Sequence, residues 1–284
     1  MNDWAVRTAA DESVRCGVWA WRRGGRLELT IVVKASFALV DSEAMTLLPP
    51  EEIERADRTF NQHPTRSVEA AGELAPHLAR CDVTFVGHAF PAPGAFASAA
   101  RLALFRDGRA LIDKTVHVFA ERDAQGAPKA FAKMALTYER AFGGPGVEAN
   151  PVGRQTPQVV DPQDAKRPAG FGPISRFWPA RKRLLGALDR GALEAPLAEV
   201  PESLPWAYFQ AAPLDQQIEY LQGGEWIVMD GLHPTRTRLQ TQVPALRAEA
   251  RVVVAGGAGG SGAAVALVAD TLAIDGDRGR CSVV

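Results

Sequence analysis

The sequence lacks the features that mark disulfide scaffolds and membrane proteins. Only 3 of its 284 residues are cysteine (Cys16, Cys81 and Cys281), and they lie far apart with no C-x-x-C pair. This spacing predicts reduced, inert thiols in a cytoplasmic protein. No run of about 20 apolar residues occurs, so no membrane insertion is predicted. The N-terminal residues lack the basic and apolar regions of a signal peptide.

An excess of charge of one sign is also missing. Lysine and arginine total 32, aspartate and glutamate total 33, and the net charge is −1. No electrostatic surplus draws the whole chain to nucleic acid, so no nucleic-acid partner is predicted. With 46% hydrophobic and 23% charged residues, the chain has the composition of an ordinary globular protein. It is long enough to bury a core without disulfides or metals.

Metal-ligand and catalytic spacings are absent as well. None of the histidines forms an H-x-x-x-H pair or lies beside a cysteine pair, so no metal or cofactor is predicted. The five histidines are His63, His77, His88, His117 and His233. His117 and Glu121 could form a general-base pair, although any histidine near a glutamate gives this pattern. Residues 275–277 (Asp-Gly-Asp) lack the closing glutamate of a calcium loop and predict a turn.

A glycine-rich stretch after an apolar run has the form G-x-G-x-x-G, from Gly257 to Gly262. A dinucleotide fingerprint opens a helix and has an acidic residue about 20 residues further on. Here the next acidic residue is Asp270, and residues 264–268 read as a strand. We therefore predict a glycine-rich hairpin loop rather than a nucleotide site.

Alternating apolar residues predict strands through most of the chain. Residues 14–40 predict a hairpin with its turn at Gly24-Gly25, and residues 102–119 predict a second with its turn at Asp107-Gly108. Further strands are predicted at 81–90, 130–138, 225–229, 235–243, 251–254 and 263–274. A helix is predicted at 213–221, because Pro213 suits a first helical turn and Gly223-Gly224 would end it.

Between residues 143 and 205 ten prolines interrupt the pattern, which predicts a long irregular segment. The predicted fold class is mainly β, an antiparallel β-sandwich-like architecture with long irregular Pro/Gly-rich loops and little helix. We expect a single domain over residues 1–284. Its tentative parts are an N-terminal β part (1–142), the Pro/Gly-rich loop segment (143–205), and a C-terminal helix plus β part (206–284).

The turn from Phe142 to Gly146 allows two interpretations. Its backbone amides could form a nest that holds an anion. Alternatively, it is a glycine turn fixed by burial of Phe142, which is the preferred interpretation. Arg140, Arg154 and Arg181 could instead pin carboxylates or backbone carbonyls within the long loop.

Several motif stretches occur in order along nearly the whole chain. They are VVKASF (32–37), ELAP (73–76), CDVTFVGHA (81–89), YERAFGG (138–144), NPVGR (150–154), PAGFGPI (168–174), APLDQQ (212–217) and DTLAID (270–275). Together they resemble a bacterial family catalogued as domain of unknown function number two-one-six-nine. The run through Arg140, Gly144, Asn150 and Gly153 is its most specific part.

The resemblance implies a role, because members of this family are similar to accessory proteins of the type VI secretion system. It implies a cytoplasmic adaptor or chaperone that binds an effector, or its PAAR-like tip segment, and helps to load it onto the VgrG spike. No catalysis is implied. The motif and interface candidates are Arg140, Phe142, Gly143, Gly144, Asn150, Pro151, Gly153, Arg154, Phe171, Gly172, Trp178, Arg181, Asp215 and Gln216.

Two other functions stay open. A carbohydrate- or peptidoglycan-directed enzyme with a β-sandwich fold would need two carboxylates about 5–10 Å apart, and Asp82, Asp113 and Glu139 are the candidates. A purely structural module of a larger secreted assembly is the other alternative. For the adaptor, aromatic anchors such as Trp178, Phe177 or Trp206 would suit a docking surface.

Overall fold

The computed structural model describes residues 12–195, 197–252 and 262–284. In the N-terminal part the strands are β1 (Val14–Arg23), β2 (Arg26–Ala38), β3 (Thr46–Leu48), β4 (Arg58–Thr59), β5 (Val68–Ala70), β6 (Cys81–Val86), β7 (His88–Ala89), β8 (Ala97–Arg106), β9 (Arg109–Phe119) and β10 (Met134–Ala135). The later strands are β11 (Val159–Val160), β12 (Gln217–Ile218), β13 (Trp226–Asp230), β14 (Arg238–Gln242), β15 (Glu249–Val252), β16 (Ala263–Ala266), β17 (Thr271–Asp275) and β18 (Arg280–Val283). The helices are α1 (Pro179–Lys182) and α2 (Arg190–Glu194). The fold is therefore mainly β with little helix, as predicted.

Both predicted hairpins are confirmed. β1 pairs with β2 through a turn in which Gly24 and Gly25 have φ of 56° and 74°. β8 pairs with β9 through Asp107 and Gly108, with φ of 51° and 77°. Positive φ at both central residues matches the right-handed twist of the flanking strands, which explains why these turn residues gave a strong signal.

Two large sheets form the sandwich. The seven-stranded sheet has the order β1-β2-β18-β17-β6-β12, with β3 also on β2, and the five-stranded sheet has the order β11-β9-β8-β13-β14. Their pairings are antiparallel except for β6 with β17, which run parallel. Because β2 and β18 are neighbours, the seven-stranded sheet joins the N-terminal and C-terminal parts of the chain.

The main core lies between the two sheets. On β6, Cys81, Val83 and Phe85 are 0–1% exposed and join one hydrophobic cluster with inward side chains of the five-stranded sheet, such as Leu102 and Ile227. The three cysteines are free thiols; Cys81 and Cys281 are buried, whereas Cys16 is half-buried. Among the described residues, no helix has the length and apolar character needed to cross a bilayer.

A layer of loops covers the opposite, outer face of the seven-stranded sheet. On β6, Asp82 and Thr84 alternate with the core residues and are nevertheless buried. The covering segments are 51–54, 67–73, 135–138, 172–173 and 209–211. The central strands of this sheet are therefore buried on both faces, and one of these faces is polar.

The β1–β2 hairpin is longer than the sheet beside it. β18 and β3 pair only with residues 35–38 of β2, so residues 14–33 project as a two-stranded ribbon, here called the β1–β2 ribbon. Its outer face packs through Trp21 onto a second hydrophobic cluster. The other members of that cluster are Leu185, Leu193, Val200, Leu204 and Tyr208.

Several sequence-based boundaries differ from the structure. The predicted helix over 213–221 is wrong, because residues 214–216 form one 3-10 turn and the next two residues pair as β12 with β6. Strand pairing and burial of Gln216 override the local helix signals there.

The strand predicted at 130–138 shortens to β10, and that at 263–274 divides into β16 and β17. Residues 253–261, which contain most of the predicted glycine-rich loop, lie outside the described residues.

Candidate functional site

The most specific motif residues form two loop segments that cross at Asn150. This side chain is fully buried, and its Nδ2 donates to the carbonyl oxygens of Tyr138 (2.8 Å) and Phe142 (2.9 Å). Its own backbone carbonyl accepts from the Gly144 amide at 2.9 Å. One asparagine thus satisfies three backbone groups of a segment without regular structure. Pro151 follows it and is half-buried.

Glycine is required in these loops by close approach. A Cβ on Gly153 would lie 2.6 Å from the Ala141 carbonyl oxygen and 2.7 Å from the Gly143 Cα, and a Cβ on Gly143 would collide with Asn150. The amides of Gly143 and Gly144 donate to the carbonyl oxygens of Arg154 (3.2 Å) and Asn150. These amides are therefore engaged within the fold, which favours the glycine turn over the anion nest.

Two motif arginines meet at one glutamine. Arg140 Nη1 donates to Gln158 Oε1 at 2.5 Å, and Arg154 Nη1 donates to the same oxygen at 3.2 Å. Arg140 also pairs with Glu121 at 3.0 Å, and Arg154 Nε donates to the Glu139 carbonyl at 2.8 Å. Arg140 and Arg154 thus hold a carboxylate and a backbone carbonyl, but these belong to Glu121 and Glu139, which precede the long loop at 143–205. Because Arg140 holds Glu121, this carboxylate has a structural partner.

The aromatic motif residues lie in the interior. Trp178 is 1% exposed, packs edge-on against Tyr138 at a centroid distance of 5.2 Å, and donates from Nε1 to the Thr65 carbonyl at 3.1 Å. Phe171 is buried edge-on against Phe85, and the carbonyl of Gly172 accepts from the Tyr138 hydroxyl at 3.0 Å. These residues fix the loop layer onto the sheet and do not form an exposed anchor.

Of the other aromatic anchors considered, Trp206 is half-buried beneath Arg23, whose guanidinium lies 4.3 Å from the ring centroid. Phe177 is 37% exposed and stacks with Arg190 at 4.0 Å. Both rings are therefore already engaged by arginines of this chain.

Arg181 is a buried cation that holds the loop layer together. Its Nη1 donates to the Ile174 carbonyl at 2.5 Å, and Nε and Nη2 donate to the Tyr208 carbonyl at 3.2 and 2.6 Å. Burial lowers the pKa of Arg181 to about 10, so the group remains charged at neutral pH. Nearby, Arg176 pairs with Asp57 at 2.8 Å. Burial alone would raise the pKa of Asp57, but the two arginine charges lower it below its ordinary value.

Asp215 and Gln216 connect the two sheets. Lys114, on the core side of β9, donates to Asp215 Oδ1 (2.9 Å) and Gln216 Oε1 (2.8 Å). Gln216 Nε2 donates in turn to the carbonyls of Val83 (2.7 Å) and Phe171 (2.9 Å). Burial lowers the pKa of Lys114 while the Asp215 charge opposes this. The APLDQQ stretch is thus a packing element of the fold.

A cleft of about 520 Å³ lies between the loop layer and the outer face of the seven-stranded sheet. On its floor, Lys34 pairs with Glu73 at 2.7 Å, and both side chains are nearly buried. Asp82 accepts from Gln210 Nε2 and the Ala211 amide, both at 2.5 Å. Burial raises the pKa of both carboxyls, Glu73 and Asp82. The cleft is polar, and Lys34, Glu73 and Asp82 on its floor have partners within the fold.

The three carboxylates considered for catalysis have separate surroundings. Asp82 lies under the loop layer, whereas Asp113 lies on the outer face of the five-stranded sheet, where Arg101 holds it at 2.6 Å. Glu139 accepts from the amide and hydroxyl of Ser67 at 2.9 and 2.7 Å. In the described part of the chain, no group of three His, Cys, Asp or Glu side chains has the arrangement of a metal site.

Sequence reasoning did not single out several polar residues that hold the fold together, including Lys34, Asp57, Glu73 and Gln158. A signal existed for Lys34 and Asp82, since each is a charged residue between two apolar neighbours within a strand. Such a pattern indicates a strand whose second face is also buried. Asp57 and Gln158 stand in irregular segments, where no periodicity marks them.

The inner face of the β1–β2 ribbon is apolar, and within the described ranges its side chains belong to neither hydrophobic cluster. Its side chains are Cys16, Val18, Ala20, Leu27, Leu29, Ile31 and Val33. Leu27 is 40% exposed, and Leu246 and Val268 beside the ribbon are 42% and 55% exposed. A groove of about 160 Å³ runs between them and β2. The other inner-face side chains are half-buried, and exposed apolar side chains grouped in this way mark a candidate interaction site.

Comparison with protein families finds one matching description, "Uncharacterized protein conserved in bacteria (DUF2169)", over residues 24–284. The match starts at the β1–β2 turn and includes every motif stretch described above. Comparison with curated proteins and with solved structures gives no match.

Proposed function

The chain belongs to the DUF2169 family, and from this premise we propose that it is a cytoplasmic adaptor or chaperone for type VI secretion. In this proposal it binds an effector, or the effector's PAAR-like tip segment, and helps to load it onto the VgrG spike. The motif stretches that resemble such accessory proteins support the role. The observation that carries it is the apolar inner face of the β1–β2 ribbon, which is half-buried among the described residues and ends at the exposed Leu27.

The ribbon suits a binding role because its outer face is held rigidly. Trp21 contacts Trp206 edge-on at 6.0 Å and donates from Nε1 to the Thr30 hydroxyl at 3.0 Å. Thr30 donates in turn to the Pro76 carbonyl at 2.7 Å. A surface fixed in this way loses little conformational entropy on binding, which favours affinity. The loop layer therefore supports a docking surface and need not contact the partner.

The proposal is tested by affinity-tagging the protein at native level in its own host and identifying proteins that co-purify from cytosol. A type VI effector or PAAR-like protein at near-equal amount is expected. Leu27→Asp, on the ribbon, should reduce its recovery about tenfold or more. Leu214→Asp is the matched control, because Leu214 is 84% exposed and lies outside the ribbon. Recovery of no such partner, or equal loss with both variants, would contradict the proposal.

A further inference from the structure

We propose that the cleft between the loop layer and the outer face of the seven-stranded sheet binds a neutral saccharide of about disaccharide size. The cleft lies apart from the inner face of the β1–β2 ribbon, and the inference does not rest on the proposed function. It assigns a ligand chemistry to the cleft, namely hydroxyl groups carried on rings with apolar C–H faces. It assigns no reaction to the bound ligand.

The floor of the cleft contains a row of small side chains that crosses the sheet. Thr84 on β6 pairs with Ala273 on β17, and Ala273 pairs with Ser282 on β18. The residues before and after each of them belong to the main core. Because side chains alternate along a strand, these three side chains point to the outer face. Their small size leaves room for the cleft of about 520 Å³ above them.

Two hydroxyl groups in this row are available to a ligand. Thr84 and Ser282 are only 6% and 5% exposed, and both line the cleft. Across residues 12–195, 197–252 and 262–284, neither side-chain hydroxyl makes a hydrogen bond to a protein atom. By contrast, Ser36, the next residue in the row, accepts from the Glu51 amide at 3.2 Å. Since a hydroxyl both donates and accepts, a ligand that carries hydroxyl groups itself can satisfy both groups.

The spacing of the two hydroxyls sets the length of the ligand. Thr84 and Ser282 lie on strands that are separated by β17, so their Cα atoms are roughly 10 Å apart at the ordinary strand spacing. Two linked sugar rings span this distance, whereas a single ring does not. The volume of the cleft, about 520 Å³, lies within the range of about 300–1,000 Å³ that is usual for small-molecule sites.

The charges around the cleft favour a neutral ligand. The lining holds eight aspartates or glutamates and four lysines or arginines, so its negative field disfavours phosphates and carboxylates. Every one of these acidic side chains already has an ion-pair or hydrogen-bond partner in the fold. Asp277, for example, lies 2.8 Å from Nδ1 of His88. A cationic ligand would therefore have to displace one of these partners.

The wall opposite the strands supplies apolar area. Phe60 and Phe209 are half-buried and line the cleft away from the strands of its floor. The C–H faces of sugar rings pack against such side chains while the ring hydroxyls reach the floor. Small-molecule sites combine apolar area with a few placed polar groups in this way. A polar floor beneath an aromatic wall thus matches a saccharide better than it matches an inorganic ion.

Three substitutions separate the contribution of the hydroxyls from that of the space. Thr84→Val removes one hydroxyl while keeping the branched shape of the side chain, and Ser282→Ala removes the other. Ala273→Leu keeps both hydroxyls and fills the centre of the floor. The two hydroxyl variants serve by themselves if Ala273→Leu does not fold. Thr115→Val is the matched control, because it makes the same exchange on β9, on the outer face of the other sheet.

The probes are cellobiose and N,N′-diacetylchitobiose, with lactobionate as an anionic counterpart, each added to the full chain at millimolar concentration. With wild-type protein, at least one neutral disaccharide should shift the NMR signals of the amides at positions 84, 273 and 282. Thr84→Val and Ser282→Ala should each weaken this binding by about fivefold to tenfold. Ala273→Leu should weaken it by more than about tenfold, and Thr115→Val by less than about twofold. Lactobionate should bind at least about tenfold more weakly than the neutral sugar.

Several outcomes would overturn the inference. If neither neutral disaccharide shifts the signals of the cleft, the cleft holds solvent alone. Equal binding by wild type and Ala273→Leu, or by wild type and both hydroxyl variants, would place the sugar elsewhere. Lactobionate binding as tightly as the neutral sugars would contradict the assigned chemistry. Failure of the proposed function is separate, because recovery of an effector with Leu27→Asp does not involve the cleft.

Discussion

Asn150 shows how a single side chain can organise an irregular segment. It supplies the hydrogen bonds that a regular element would make with its own backbone, and it does so at full burial. Glycine is required at positions 143 and 153, because Asn150 occupies the space that a larger side chain would need. The most specific motif of the chain is therefore a folding device of the loop layer.

We expect Asn150→Ala to lower the free energy of unfolding by about 2–4 kcal/mol, because it leaves the Tyr138 and Phe142 carbonyls buried without these donors. Urea unfolding measures the change. Thr156→Ala, at an exposed position of the same segment, should change stability by no more than about 0.5 kcal/mol. Equal stability of the two variants would show that the crossing of the loops does not depend on Asn150.

Asp270 makes stability depend on pH. Burial raises its pKa to about 7, well above the value of about 3.9 in an unfolded chain. The folded state therefore holds the proton more tightly, and its advantage is full below pH 4 and is lost as pH rises through 7. Between these values Asp270 lowers stability by up to about 1.4 kcal/mol per pH unit.

Asp270→Asn removes this titration. The variant should gain stability over wild type as pH rises from 4 to 7, and urea unfolding at several pH values measures the difference. Its amide keeps an oxygen for the Thr271 hydroxyl, which donates to Asp270 Oδ1 at 3.0 Å. Parallel stability curves for the two proteins would show that Asp270 ionises normally in the folded state.

At the scale of elements, the Lys34–Glu73 ion pair fastens the loop layer to β2. We expect Lys34→Met to cost about 3–5 kcal/mol, because Glu73 is left buried and uncompensated. Lys34→Met combined with Glu73→Gln should recover most of this loss. Thermal and urea unfolding of the single and double variants test the pair. Arg15→Ala, in an exposed ion pair with Glu52, is the control and should cost less than about 1 kcal/mol.

If the double variant were as unstable as Lys34→Met alone, the loss would not come from the unpaired charge. The methionine would then pack poorly against β2. Hydrogen exchange in residues 51–54 and 67–73 distinguishes the two causes, since only the unpaired charge should loosen the loop layer selectively.

Elements were predictable from the sequence where the signal is local. The two hairpins have alternating strands and turn residues suited to positive φ, and both formed as predicted. The helix over 213–221 failed because Pro213 and Asp215 give local helix signals, while Gln216 is held by buried carbonyls of other segments. The motif residues could be selected from the family resemblance. Their burial could not be predicted from the sequence, because it depends on how the loop layer packs onto the sheet.

On the scale of the whole molecule, the sheet order was beyond sequence reasoning. The parallel pairing of β6 with β17 joins strands almost 190 residues apart, and no periodicity identifies such partners. The tentative division at residues 142 and 205 follows composition alone. The seven-stranded sheet crosses both boundaries.

A chain ending at residue 270 should therefore fail to fold cooperatively. It would lose β17 and β18, which separate β2 from β6, and the core side chains of Leu272, Ile274 and Val283. Urea unfolding followed by circular dichroism and tryptophan fluorescence should show no shared sigmoidal transition. Arg278→Ala, an exposed change in the turn between these strands, should preserve the transition. A cooperative transition in the shortened chain would show that residues 12–270 contain an independent domain.

The position of β18 also sets the order of events on the ribosome. β2 cannot acquire this neighbour until more than 200 further residues have been made, which takes on the order of 10–50 s at ordinary synthesis rates. During that interval the N-terminal hairpin is part of the nascent chain, and β2 does not yet have β18 as its pairing partner. Sheet closure is therefore a late event of biosynthesis, and until it occurs the unpaired apolar strands carry a risk of aggregation.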